Sequence, residues 1–244
     1  MEEIVCLSED DIKSGLEDCS RSLVGRLMAD RSFSMGMIEA AFFAIWNQPE
    51  GFCLKYHCEN IYQFFFAKEA DVIRVERGSP WLFKQYVIHV RRWNAEMNIE
   101  EADYSLIPTW IQLWGMPDHC KTKEAAHKIG ERLGEVLEVE TYLMRSKEDW
   151  IMKVRINLNV THTLKQIIRM ASPDKKIFEV QLKYERLGIY YSFCGFIGHD
   201  SRNCSKLLEN SVDLNQKEER WSTQLRAEFT GWKLEDNKEN VIQT

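Results

Sequence analysis

Apolar and polar positions along the first third of the chain change period in a definite order, and that order predicts the elements. SLVGRLM at 22–28 is a short apolar run of strand length. Met37, Ile38, Ala41, Phe42 and Ile45 then recur at helical spacing, so a helix is expected over 35–46 with Ser34 placed to cap it. Gln48-Pro49-Glu50-Gly51 ends that helix. Residues 52–57 and 61–67 read as a hairpin around Cys58-Glu59-Asn60, its second strand dense in aromatic side chains. A second helix over 68–77 stops at Gly78-Ser79-Pro80, and YVIHVRRW at 86–93 alternates as a closing strand. The order β-α-β-β-α-β is that of the ferredoxin-like split βαβ fold. With Phe66 as the last core residue of the aromatic strand, the two-residue period buries Tyr62 and Phe64 and leaves Ile61, Gln63 and Phe65 on the open face.

A polar stretch over 94–105 separates this unit from a second one. A strand at 110–114 ends at Gly115-Met116-Pro117, and a helix is expected from Thr122 to about Val136. Ala125, Ala126, Ile129, Leu133 and Val136 would line one face of it, with Glu131, Glu135 and Glu138 on its solvated side. Strands at 149–159 and 177–184 flank a turn or short helix at 161–170. After Cys204 the composition turns polar, although 221–232 keeps enough amphipathic character for a frayed helix. The expected class is α+β. An acidic flexible N-terminus (1–20) precedes a ferredoxin-like, RNA-recognition-like domain (21–94). A smaller α/β connector (106–187), a degenerate zinc knuckle (188–206) and a polar tail (207–244) follow.

Composition adds bounds. A hydrophobic share of 44% and eight tryptophans argue for a folded chain. No apolar run reaches the roughly 18 residues of a membrane span, and the acidic start is unlike a signal or transit peptide. The expected place is nuclear or cytoplasmic, with no membrane partner and with the seven cysteines reduced. The net charge of -6 is carried by the first twenty residues (-6) and the last forty (-2), so the body between is +2. Such a body permits nucleic-acid binding and excludes strong non-specific attraction to phosphate.

Candidate chemistry is concentrated at 194–204. Cys194, His199 and Cys204 keep three of the four ligands of a C-x2-C-x4-H-x4-C zinc knuckle, and Tyr191 stands where the first cysteine belongs. A phenol is a poor substitute for a thiolate, so zinc is the expected cofactor with its binding weakened or lost. Gly195 and Gly198 fall where a chain wrapped around an ion needs positive φ or no side chain. Phe196 falls where such loops stack a base, and Arg202 can meet a phosphate.

Further motifs extend this picture upstream. Leu23-Val24-Gly25-Arg26-Leu27, the aromatic strand before Lys68-Glu69-Ala70-Asp71, Gly78-Ser79-Pro80-Trp81 and Arg91-Arg92-Trp93 resemble the plant domain of unknown function at the front of LINE-type retrotransposon gag-like proteins. Trp110-Ile111-Gln112-Leu113-Trp114-Gly115-Met116-Pro117, Gly134 to Glu140 and Tyr184-Glu185-Arg186-Leu187 resemble the linker that leads to that family's knuckle. The resemblance covers roughly 21–204 and implies a gag-like protein of retrotransposon origin that binds RNA or single-stranded DNA through a zinc-holding knuckle.

Weaker candidates lie in the first domain. Arg91, Arg92 and Trp93 form its densest basic-aromatic spot and would clamp a phosphate and stack a base, and Phe65 is the single stacking aromatic on the open sheet face. Cys53 and His57 fall on one face of their strand and Cys58 on the other, which is poor geometry for one ion. His119-Cys120 has no base or carboxylate at a diagnostic spacing, and no P-loop, GxSxG, HExxH or dinucleotide fingerprint occurs. The expected protein is therefore a non-enzymatic binder of RNA or single-stranded DNA at modest affinity. Its rival is a protein-interaction scaffold, self-associating or bound to protein partners, that has lost zinc and nucleic acid.

Overall fold

The computed structural model describes residues 4–144, 150–199, 204, 221, 223–227 and 232–233. The architecture is mixed α+β, with two antiparallel sheets and few helices, and the chain divides into the units Met1–Tyr104 and Ser105–Thr244. Among the described residues no helix is long and apolar enough to cross a membrane.

The first unit opens with α1 (Glu9–Ser20), where a loose acidic end was expected. Ser8 explains the difference. Its hydroxyl accepts from the Asp11 N–H at 3.4 Å while the Asp11 carboxylate accepts from the Ser8 N–H at 2.8 Å, a capping box that starts a helix none of whose side chains is buried. Strand β1 (Ser22–Met28), helix α2 (Met35–Ile45), strands β2 (Cys53–Tyr56) and β3 (Ile61–Phe65) and helix α3 (Glu69–Arg77) follow as the pattern predicts. Ser34 begins α2 without a side-chain cap, and its carbonyl alone takes the Met37 and Ile38 N–H groups. A short strand β4 (Trp81–Phe83), absent from the pattern reading, forms a hairpin with β5 (Tyr86–Arg92). The sheet order is β2-β3-β1-β5-β4.

One face of this sheet packs on α2 and α3 around Trp46, whose ring centroid lies 4.7 Å from that of Phe42 and 4.8 Å from that of Phe64. Tyr62 and Phe64 are buried there as alternation requires. The opposite face is not open. Met97, Ile99, Ala102 and Tyr104, from the stretch read as a polar spacer, pack with Trp93 over Val24 and Ile61. Ile61 is 2% exposed and Gln63 3%, and the Gln63 amide donates to Ser22 Oγ at 2.9 Å. The spacer is thus a strap. Its apolar residues are too sparse to give a period, yet together they cover an apolar sheet face that would otherwise meet water.

The second unit is a six-stranded sheet with one face on the helix α4 (Lys123–Gly130). Its strands are β6 (Leu106–Trp114), β7 (Glu135–Leu143), β8 (Trp150–Asn159), β9 (Ile167–Ala171), β10 (Ile177–Tyr184) and β11 (Trp232–Lys233), in the order β11-β7-β8-β6-β10-β9. The expected long helix stops early. Beyond Gly130 the sequence EVLEVETYL pairs with β8, with a bulge at Leu137, so Glu135 and Glu138 lie on a strand and Glu131 at the helix end. Gly134 is the break: a Cβ there would sit 2.4 Å from the Asn157 carbonyl oxygen, which only close strand approach requires. Residues 167–171 likewise pair with β10 instead of forming a turn or helix. Ile111, Leu113, Met152, Val154, Ile156, Val180, Leu182 and Tyr184 form the core under α4.

Candidate metal centre

β10 delivers the chain to a tight loop, and backbone hydrogen bonds define it before any metal is considered. Tyr190 and Ile197 form an antiparallel bridge, the Tyr191 N–H donates to the Phe196 carbonyl at 3.2 Å, and the Gly195 N–H donates to the Tyr191 carbonyl at 2.8 Å. Gly195 and Gly198 take φ of 71° and 92°, the left-handed turns that their positions in the sequence required. This folding brings Cys194, His199 and Cys204 together, with Sγ, ring nitrogen and Sγ all within 4.8 Å of one another. Cys194 Sγ lies 3.2 Å from His199 Nε2. Both thiols are buried and the imidazole is half-buried.

The donor set fits zinc. Tetrahedral coordination at about 2.3 Å to sulfur and 2.0 Å to nitrogen separates ligand atoms by about 3.5–4 Å, and two thiols with one imidazole are the chemistry that zinc prefers. Three donors leave one position for another group. Tyr191 enters the loop through its backbone, and its ring lies edge-on to His199 at 6.1 Å between centroids.

A segment from the far end of the chain holds the loop against the sheet. Trp221 Nε1 donates to the Leu164 carbonyl at 2.7 Å, its N–H donates to the Ser192 carbonyl at 2.9 Å, and the Leu164 N–H donates to Gly195 O at 2.9 Å. The indole fills the notch left by Gly195, where a Cβ would meet it at 2.4 Å. Leu225 is buried, Arg226 bridges in parallel to Tyr184, and its guanidinium donates to the Gly188 carbonyl at 3.2 Å. The described part of the expected frayed helix is a short 3-10 turn (Thr223–Leu225) and the two-residue strand β11. Sequence reasoning missed Trp221; the signal available was a tryptophan inside a polar tail.

The other candidates are dispersed. Phe196 is half-buried on the loop, and Arg202 lies outside the described residues. Strand alternation sends Arg91 and Arg92 to opposite faces, so they form no common clamp. Arg92 lies on the helix side, 2.6 Å from a Glu69 oxygen and 3.7 Å from Glu76, and the Glu69 hydrogen bond in particular raises its pKa. Arg91 lies under the strap with its guanidinium carbon 4.8 Å from the Tyr104 ring centroid, and Trp93 belongs to the same cluster. Burial, opposed by Arg91, raises the Tyr104 phenol. Phe65 sits half-buried at the end of β3, paired with Ser22 and Cys53. His57 Nε2 contacts Gln63 Oε1 at 3.2 Å, while burial, then Glu39 and Asp18, pushes the Cys53 thiol up and away from the thiolate a metal needs. Cys120 packs against the second core and the His119 ring lies 6.4 Å from Phe178.

Two family models match this chain. Residues 15–101 match a domain of unknown function (DUF4283), and residues 158–206, which contain Cys194, His199 and Cys204, match a zinc knuckle. The chain is similar to the uncharacterized protein At4g02000 of Arabidopsis thaliana, 26% identical over 134 residues, which is 55% of this chain and 42% of that protein. The similarity therefore spans less than half of that relative. Among solved structures, a Sxl-lethal protein/RNA complex aligns with a TM-score of 0.26 at 14% identity, over 57% of this chain and 83% of that one.

Proposed function

We propose that the chain is a non-catalytic, nuclear or cytoplasmic protein that binds RNA or single-stranded DNA at modest affinity, a gag-like protein of retrotransposon origin. The observation that carries the reading is the convergence of Cys194, His199 and Cys204 within 4.8 Å on a loop of knuckle geometry, inside a segment that matches a zinc knuckle. The strand order β2-β3-β1-β5, with β4 added at the edge, supports a ferredoxin-like first unit. Zinc, when bound, supplies a cross-link between the three donors and so rigidifies the loop. Gly195 and Gly198 turn the backbone, the Tyr191 amide and carbonyl brace it, and Trp221 anchors it to the second sheet. The strap over the first sheet supports placing the contacts in the second unit, with Phe196 on the loop and Arg202, two residues before Cys204 in the sequence, as the candidates.

Titration of labelled single-stranded RNA and DNA across salt concentrations tests the reading. Binding that weakens as salt rises, and weakens further when zinc is chelated, is expected. No binding even at low salt refutes it. Exposed apolar residues favour a second reading, self-association or a protein partner: Ile12 and Leu16 on α1, and Met35, Met37, Phe43 and Ile45 on α2. A stable oligomer indifferent to nucleic acid would decide for it.

A further inference from the structure

The second sheet has a face turned away from α4, and WIQLWG places two indoles on it. Ile111 and Leu113 belong to the core, so the two-residue period puts Trp110, Gln112 and Trp114 on the opposite face. Both tryptophans are half-buried, leaving ring surface available, and at four residues' separation they stand about 13 Å apart along β6. That distance accommodates two stretched nucleotide steps. In the β6–β8 ladder Trp110 pairs with Arg155, and the Lys183 ammonium on β10 lies 4.6 Å from the Trp114 ring centroid.

Charge on this face is arranged to leave those two cations available. Glu185 is taken by Lys153, Glu179 by Arg169 at 3.0 Å, and Glu140 by Lys233 at 2.6 Å. Glu138, across β7 from Arg155, lies 3.7 Å from Lys233. Among the described residues, Arg155 and Lys183 have no carboxylate within ion-pair distance. The face therefore presents two flat aromatic surfaces, each beside a cation without an acidic partner among the described residues. Bases have a π-face for every indole, and the phosphates between them answer the cations.

We propose that Trp110 and Trp114, with Arg155 and Lys183, form a platform for single-stranded RNA on the outer face of the second sheet. The proposal rests on the nucleic-acid reading above and adds a second contact surface to the knuckle loop. Bases stack on the two indoles, with Lys183 swinging from the Trp114 ring to a phosphate and Arg155 meeting the phosphate beside Trp110. Stacking makes the main contribution of the platform, whose two phosphate contacts add about -1.4 to the slope of log K against log salt.

The full-length protein, titrated with a fluorescent single-stranded RNA twelve-mer, tests the platform. Trp110→Ala with Trp114→Ala should weaken binding about a hundredfold, since each stacked base contributes about tenfold or more. Arg155→Glu with Lys183→Glu, a surface change that spares the fold, should weaken binding at least tenfold and flatten the salt slope. It decides the matter where the tryptophan variant unfolds. Wild-type binding that survives the charge-reversed variant unchanged overturns the platform and leaves the knuckle reading standing. Absence of wild-type binding at low salt overturns both.

Discussion

Replacing Tyr191 by cysteine should convert a three-donor cluster into a closed zinc site. Residue 191 is already beside the cluster, since its carbonyl lies 4.0 Å from Cys194 Sγ and takes the Gly195 N–H. A thiol on the same Cβ is short enough to turn toward Cys194 and His199 without a change in the loop's hydrogen bonds. Four-ligand structural sites bind zinc with about 10–16 kcal/mol, so an even share for one thiolate is about 3 kcal/mol. Loss of the edge contact between Tyr191 and His199 costs the loop about 1 kcal/mol, leaving a net gain of about 2 kcal/mol. Zinc affinity should therefore rise about thirtyfold. Competition against a chromophoric chelator at neutral pH measures it, with metal content of the purified protein as the second readout. Equal affinity in wild type and Tyr191→Cys would refute the reasoning, because it would mean that another group already closes the fourth position.

Three further outcomes follow from the packing. Tyr104→Ala removes a nearly buried ring stacked under Arg91 and a hydroxyl that donates to the Ile99 carbonyl at 2.8 Å, so urea unfolding should show a loss of about 3 kcal/mol; a loss below about 1 kcal/mol would mean that the strap contributes little. Gly195→Ala sets a Cβ 2.4 Å from the Trp221 indole at φ of 71°, and should cost about 2 kcal/mol and shift Trp221 fluorescence toward that of exposed indole; an unshifted spectrum would disprove the contact. The Asp11 carboxyl is held below its ordinary 3.8, first by the Ser8 hydroxyl and then by the Ser8 N–H. Its capping contribution is therefore complete above pH 3.8 and disappears as pH falls through the lowered value, so α1 helicity should drop there by circular dichroism and Asp11→Asn should abolish that step.

What the sequence determined by itself is what short-range physics determines. Period and punctuation place α2, β3, α3 and β5 in the first unit, because alternation and the 3.6-residue repeat are properties of a few consecutive residues. The spacing of Cys194, His199 and Cys204 predicts one donor cluster, and Gly195 and Gly198 supply the positive-φ turns between Cys194 and His199. Tertiary structure decided the rest. EVLEVETYL is compatible with either a helix or a strand, and only β8 as a neighbour settles it. Residues 94–105 read as polar locally, yet Met97, Ile99 and Tyr104 are drawn, with Trp93, onto a sheet face that no local pattern reveals. The same long-range pairing divides Arg91 from Arg92, brings Trp221 across the sequence to Gly195, and sets Trp110 and Trp114 beside cations from other strands. Neighbours in the chain choose the elements; burial of apolar surface, which acts between residues of any separation, chooses which faces close and which remain to bind.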